Sequence, residues 1–348
     1  RRKVKAYRRK STLPIGGVLL FLTISFCLLS VRGGEIDKGA FVVGGVAIAV
    51  MLMQYFLFPV FFHDIDKSIA LTTNMLAAIG LVILYRLEPE AGAKQIIWYC
   101  AGIGAMVVVM ALVSSISGMD RGLWIFIGAG IGLLTLSLLF GKVVGGAQNW
   151  IRLESLGLSV QPSEFAKISL VLTMACVFRE KRRFIDYMPA FIFILACLFI
   201  LVLSNDLGAA LMYFAVFILL FYAATSNKLL TLGSLGLFCI AAVASYSLFD
   251  HFKVRVHAWL NPWADAQGGG YQIVQGLIAI VSGGAFGSGL ALGSPRYVPA
   301  YYTDYIFSSI CEEMGILMGL IIIALYIMFV IQGIRIALDA ESPFFSLL

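Results

Sequence analysis

Charged side chains are scarce in this chain. Asp, Glu, Lys and Arg make up 13% of its 348 residues, about half the share found in an ordinary soluble domain. Long polar stretches are missing as well: 61% of the residues are hydrophobic and the mean hydropathy is +0.96. That much apolar surface cannot be hidden from water in one or two soluble domains, so lipid must be the solvent for much of the chain. No metal-ligand cluster, phosphate-binding P-loop or Ser-His-Asp spacing occurs. The six cysteines all lie inside apolar segments and read as small buried residues. The net charge of +6 is not a nucleic-acid footprint, because the basic residues sit in short segments between apolar runs rather than in a basic domain. No nucleic-acid partner is expected.

What is present is a series of apolar runs near the length needed to cross a bilayer, about 20 residues. They fall at 13–31, 40–61, 69–85, 95–117, 123–141, 162–178, 187–204, 207–226, 229–249 and 304–334. The predicted fold class is an all-α polytopic membrane protein of about ten spans. The Gly-rich apolar stretch 272–294 carries five glycines from Gly283 onward. It is expected to be re-entrant or interfacial, because irregular backbone at depth is tolerated where it lines a cavity. Three parts are expected: a basic tail at 1–12, a five-span segment at 13–141, and a core at 142–348 with two long loops, 142–161 and 250–303.

Orientation follows from Lys and Arg. With the N-terminus inside, the dense clusters at 1–10 and 179–183 fall on the same side, together with Lys67, Arg121, Lys228 and Arg335. The two long loops then lie on the outer face. No small-residue cleavage site follows the first apolar run, so it is not read as a signal peptide. The chain starts Arg1-Arg2-Lys3 and ends as a new apolar segment begins at Pro343-Phe344-Phe345. It is read as a piece of a longer chain with further C-terminal spans.

Several residues are out of place in an apolar chain. Glu164 and Lys167, three apart in Gln161-Pro162-Ser163-Glu164-Phe165-Ala166-Lys167, share a helix face. Ionisable groups cost about 2.5–3.5 kcal/mol each at bilayer depth, so the pair marks either a polar cavity or a structural ion pair. Trp150 is an interfacial aromatic or a ligand contact, and Arg152 binds an anion or faces water. Asp206 suits a helix cap. Lys253, Arg255 and His257 alternate, so an extended segment would carry all three on one face, suited to a pyrophosphate. Asp265, between the Asn261-Pro262 turn signal and Gly268-Gly269-Gly270, is either a general base for a sugar hydroxyl or a solvated loop acid. Those glycines would let the backbone approach a ligand closely. Glu312 and Glu313 stand inside an apolar run and need a polar interior.

Seven segments in order resemble the SEDS family, the RodA, FtsW and SpoVE proteins. They are Gly146-Ala147-Gln148-Asn149-Trp150-Ile151, Gln161 to Lys167, Asp206-Leu207-Gly208, Asn261-Pro262-Trp263-Ala264-Asp265, Gly270-Tyr271-Gln272-Ile273-Val274-Gln275, Thr303-Asp304-Tyr305-Ile306-Phe307 and Glu312-Glu313-Met314-Gly315. The resemblance implies a SEDS-type bundle and a peptidoglycan glycosyltransferase that polymerises lipid II on the outer face of the bacterial cytoplasmic membrane, releasing undecaprenyl pyrophosphate. It implies a class B penicillin-binding protein as partner, beside lipid II and membrane lipid. Asp265 matches the catalytic acid, and Glu164 and Lys167 the functional pair of the Gln-Pro-Ser-Glu helix. Trp150, Arg152, Lys253, Arg255, Tyr271, Gln272, Gln275 and Asp304 are the expected substrate-binding residues. No organic cofactor is expected; a divalent cation, Mg or Mn, is a candidate.

This chain departs from the family pattern where Gln148-Asn149 replaces Lys-Arg, Ala266 replaces Pro, and Tyr302 replaces His. It also has five spans rather than three before the Gln-Pro-Ser-Glu helix. The rival readings are a flippase for a lipid-linked precursor or another transporter, a non-catalytic scaffold, and a transferase resembling O-antigen ligase.

Overall fold

The computed structural model describes residues 15–31, 36–62, 65–115, 122–144, 146–153, 158–179, 184–248 and 250–348. The basic tail 1–12, Arg32, Arg121 and residues 180–183 of the second basic cluster lie outside the described residues.

Among the described residues the helices are α1 (Ile15–Ser30), α2 (Lys38–Phe61), α3 (Lys67–Leu87), α4 (Pro89–Ser115), α5 (Gly122–Phe140), α6 (Pro162–Phe178), α7 (Met188–Leu203), α8 (Leu207–Thr225), α9 (Lys228–Leu248), α10 (Asp250–Leu260), α11 (Tyr271–Ser282), α12 (Ile306–Asp339) and α13 (Pro343–Leu347). Eight are long and apolar enough to cross a membrane: α2, α3, α4, α5, α7 together with the 3-10 turn before it (Ile185–Leu203, 19 residues), α8, α9 and α12. α1 and α6, at 16 and 17 residues, are somewhat shorter. The expected spans are therefore present as helices. The cysteines sit in these helices as free thiols, but Cys27, Cys100 and Cys239 are exposed on the chain rather than buried.

The chain divides into two compact units. One comprises residues 1–110 with 246–335, the other 111–245 with 336–348. Neither is contiguous, and position 141/142 falls inside the second.

In the first unit, α3 is the central element. One of its faces packs Ala78, Leu81 and Val82 against α1, α2 and α4. Another packs Ile79, Ile83 and Leu87 against Ile310, Ile322 and Leu325 of α12. Polar side chains join the helices where apolar packing alone gives little direction in lipid. The Tyr99 hydroxyl on α4 lies 2.7 Å from Asn74 Oδ1 on α3 and 3.2 Å from Gln54 Oε1 on α2.

In the second unit, α5, α6, α7 and α8 enclose a core built around Leu134, Leu170, Phe193, Tyr213 and Phe217. The Tyr213 hydroxyl donates to the carbonyl of Ser163, 2.8 Å away, which fixes the first turn of α6.

Three segments depart from the expected local structure. Residues 142–161 carry a small antiparallel meander of β1 (Lys142–Val144), β2 (Ala147–Leu153) and β3 (Leu158–Val160), in the order β1-β2-β3. Residues 250–260 are helical, not extended, since neither Gly nor Pro interrupts them before Asn261-Pro262. Lys253 and Arg255 are therefore about 200° apart around α10, and only Lys253 and His257, four apart, share a face.

The third departure is in the expected span 304–334. α12 is interrupted at Gly315, whose φ of 83° and ψ of 165° are not helical. The chain after Gly315 is long enough to cross a bilayer by itself, about 36 Å at 1.5 Å per residue. Ile306–Met314 is thus a short helix ahead of the crossing one. α11, about 18 Å long, falls short of the roughly 30 Å hydrocarbon core, in keeping with a re-entrant or interfacial segment.

The interruption is matched bond for bond. In an unbroken helix the carbonyls of Glu312 and Glu313 would accept from the amides of Ile316 and Leu317. Here they accept instead from Ser288 N–H and Gly289 N–H, both at 2.9 Å. Ile316 and Leu317 donate to the carbonyls of Gly284 and Ala285, at 3.0 and 3.3 Å. Glycine permits the approach: a Cβ on Gly315 would lie 2.3 Å from the Ala285 carbonyl oxygen, and one on Gly287 2.2 Å from that of Glu313. Replacing Gly315 with Ala should cost more than about 3 kcal/mol, since a Gly-only conformation and a clash coincide. Gly333→Ala on the same helix, with open space at its Cβ, should cost nothing. Thermal unfolding of the two variants in detergent checks this.

Candidate functional site

In the first unit, Asp265 ends a 3-10 turn, Pro262–Asp265, that directly follows α10. Its main-chain carbonyl accepts from Gly268 N–H and Gly270 N–H. Its Oδ2 accepts from Gly269 N–H at 2.6 Å, and among the described residues Oδ1 has no hydrogen bond. The glycine triplet thus closes on Asp265 itself. A Cβ on Gly268 would lie 2.4 Å from Oδ2. The carboxylate is exposed, anchored through one oxygen and presenting the other.

The turn leads straight into α11, where Tyr271 N–H bonds the Gly268 carbonyl. Gln272 and Gln275 are three apart on one face of α11, and Gln272 Nε2 lies 3.4 Å from the Pro299 carbonyl oxygen. Asp304 is exposed just ahead of α12. Burial first and the Asp304 charge second hold the Tyr305 hydroxyl above its ordinary pKa. Lys253 and Arg255 lie on α10 before the turn, on different faces as noted, so they do not form the single cationic face expected of an extended segment.

The glutamates of Glu312-Glu313-Met314-Gly315 point back to the segment that joins α11 to α12, residues 283–305, which the expected topology puts on the outer face. Glu312 Oε1 accepts from Ser294 N–H at 2.8 Å, and Glu313 Oε2 from Ala291 N–H at 3.0 Å. Glu313 Oε1 also lies 2.7 Å from Arg86 Nη2, with both side chains buried, 1% and 8% exposed. Two residues on, Glu88 accepts from the Tyr301 hydroxyl. Sequence reasoning missed Arg86 and Glu88: it closed that span at residue 85, which left both outside it. The signal available was an arginine and a glutamate at the very edge of an apolar run.

In the second unit, alternation along β2 puts Asn149 on one face and Trp150 and Arg152 on the other. Asn149 is buried, and its Nδ2 donates to Asp206 Oδ2 at 2.7 Å. Asp206 Oδ1 accepts from Ala209 N–H, capping α8. Gln148 N–H bonds the Ser204 carbonyl. The meander is thereby pinned to the α7–α8 turn, and the cap expected at Asp206 has a second function. Lys142 stands opposite Trp150 in the β1–β2 pairing, and Ser159 opposite Arg152 in the β2–β3 pairing. Glu164 and Lys167 form the expected pair, Nζ to Oε2 at 2.8 Å, with side chains 56% and 27% exposed. An exposed pair of this kind contributes little stability by itself.

Among the described residues, no group of three or more His, Cys, Asp or Glu side chains converges as a metal site.

The long apolar helices define a multi-pass α-helical membrane protein. Residues 67–348 match the family of FtsW, RodA and SpoVE, described as cell cycle proteins, and the chain belongs to that family. It is 32% identical to the peptidoglycan glycosyltransferase RodA of Mycobacterium tuberculosis, over 81% of this chain and 66% of the relative. It is 31% identical to the probable peptidoglycan glycosyltransferase FtsW of Geobacter metallireducens, over 80% and 79%. The chain thus spans just under two thirds of the length of the mycobacterial relatives. The fold is shared with a chain of a peptidoglycan synthase complex solved for its coordination of polymerization and crosslinking, with TM-score 0.62, 24% identity and 81% of each chain covered. It is also shared with the rod shape determining protein RodA of Thermus thermophilus, with TM-score 0.55, 23% identity, and 81% and 79% covered.

Two predictions follow from the geometry. Asp206→Ala should cost about 1 kcal/mol for the lost cap and more for the orphaned Asn149, whereas Asn149→Leu with Asp206→Ser should recover part of that loss; thermal unfolding of the three proteins reads it. The Glu88 hydrogen bond first, then burial, hold the Tyr301 hydroxyl above its usual pKa. A raised folded-state value means stabilisation that is complete below about pH 10 and is lost as the pH climbs through the raised value. The gap in melting temperature between the parent and Tyr301→Phe should therefore shrink above about pH 10, and a gap independent of pH would refute the assignment.

Proposed function

We propose that this protein is a peptidoglycan glycosyltransferase that polymerises lipid II on the outer face of the cytoplasmic membrane, with its N-terminus cytoplasmic, and releases undecaprenyl pyrophosphate. The observation that carries the proposal is the Asp265 carboxylate, exposed and held through one oxygen by Gly269 N–H, in a chain whose relatives are named peptidoglycan glycosyltransferases.

In this reading Asp265 takes the proton of the C4 hydroxyl of the acceptor sugar. The freed oxygen attacks the anomeric carbon of the donor glycan with inversion. A C–O bond forms to the acceptor as the C–O bond to the pyrophosphate breaks, and the lipid pyrophosphate leaves with the electron pair. Lys253 and Arg255, in the unit that carries Asp265, are the cations proposed for the departing charge. Tyr271, Gln272, Gln275 and Asp304 of that unit are the proposed sugar and headgroup contacts, and Trp150, Arg152, Glu164 and Lys167 of the second unit are proposed substrate residues on the family resemblance alone. The proposed partner is a class B penicillin-binding protein, supported by the fold shared with a chain of a synthase complex.

The interruption of α12 also favours a second reading. Broken helices are a common device of transporters, which would move a lipid-linked precursor without making a bond. One experiment separates the two. Purified protein is given labelled lipid II, with and without the transpeptidase, and polymer is measured. Asp265→Asn should lower polymer formation by about 10²-fold or more, the usual scale for a lost general base. Parental activity in that variant would sink the assignment of the base.

A further inference from the structure

The Asp265 turn is not held by its own hydrogen bonds alone. It stands on α11, and α11 meets the outer segment at two places. Gln272 Nε2 reaches the Pro299 carbonyl, and Gly276 lies so close to the Tyr305 ring that a Cβ there would come within 2.6 Å of it. The outer segment is in turn fastened by three carboxylates. Glu313 takes Ala291 N–H, Glu312 takes Ser294 N–H, and Glu88 takes the Tyr301 hydroxyl. Two of these three lead to one place, the C-terminal end of α3. Arg86 pairs with Glu313 there at 2.7 Å, and Glu88 follows two residues later.

We infer that Arg86 and Glu88 are positioning residues for the Asp265 turn, acting through Glu313 and Tyr301 on the outer segment against which α11 is packed. The inference rests on the reading of Asp265 as the base. The Arg86–Glu313 pair is buried on both sides. A buried ion pair is a poor source of net stability, often no better than apolar side chains of the same volume, but it admits few alternative arrangements. The Tyr301 hydroxyl donates to one carboxylate, at the α3–α4 junction, with Arg296 also acting on it. A bond-forming step tolerates little displacement of its base, with about 10²-fold lost for a shift on the order of 1 Å.

The test uses the full chain in detergent, or with its transpeptidase. Tyr301→Phe removes one oxygen. Glu88→Ala removes the acceptor, and Glu88→Gln keeps one. The double variant Arg86→Gln with Glu313→Gln removes both charges without stranding either. For each, kcat and KM for labelled lipid II are measured beside hydrogen exchange over residues 288–305. Positioning predicts that Tyr301→Phe and Glu88→Ala lower kcat tenfold or more while KM stays within about twofold. It also predicts that Glu88→Gln recovers at least threefold over Glu88→Ala, and that exchange over 288–305 speeds at least tenfold while exchange in α3 is unchanged. Parental kcat in Tyr301→Phe and Glu88→Ala overturns the inference, as does a loss confined to the amount of folded protein. If the parent itself makes no polymer, the glycosyltransferase reading falls instead, and unchanged exchange over 288–305 then rejects the clamp independently.

Discussion

A helix that stops and restarts leaves amides and carbonyls without their usual partners, and a bilayer offers none in exchange. At Gly315 the deficit is two acceptors and two donors, and residues 284–289 supply the same number in the complementary sense. The arrangement requires two backbones to touch, which is why glycine stands on both sides of the contact. Glu312 and Glu313 then act twice each. Their main-chain oxygens hold Ser288 and Gly289, and their carboxylates hold Ser294 and Ala291. The course of the segment from 284 to 294 is thereby set, and the placement of Tyr301, Tyr305 and α11 follows from it.

The second unit solves a smaller version of the same problem. A short meander has too little surface to hold itself, so it borrows polar groups from helix ends. Asn149 is spent on Asp206, and Gln148 N–H on the Ser204 carbonyl. This gives a physical reason for one departure from the family pattern. A residue at 149 faces a buried carboxylate that already caps α8, and an amide meets that oxygen at 2.7 Å without bringing in a charge. The opposite face of β2 is left to Trp150 and Arg152.

The spans were legible because lipid-facing helices advertise themselves by composition. Family membership was legible because the matching segments sit at element ends: the 146–151 strand, the start of α6, the cap of α8, the Asp265 turn and the Gly315 break. What the sequence did not show is of two kinds. The Lys253–His257 alternation was read as extended, but two-residue alternation in a short polar segment cannot be separated from a helix that is charged on more than one side. Ala291 and Ser294 were invisible as partners of Glu313 and Glu312 because they contribute backbone amides, which leave no trace in residue identity. Arg86 and Glu88 are more than two hundred positions from the groups they contact, and their one local mark is their place at the edge of an apolar run.

The paired interruption has a consequence for insertions and deletions. Its four backbone bonds run in a fixed register between 284–289 and 312–317. One residue added or removed within either stretch would misalign every later bond and bury unmatched polar groups. Between 295 and 305 the chain is fastened to other elements at single points, chiefly Tyr301. Natural length variation in relatives should therefore collect in the second region and avoid the first, so that the spacing of glycines, more than their number, is the heritable quantity here.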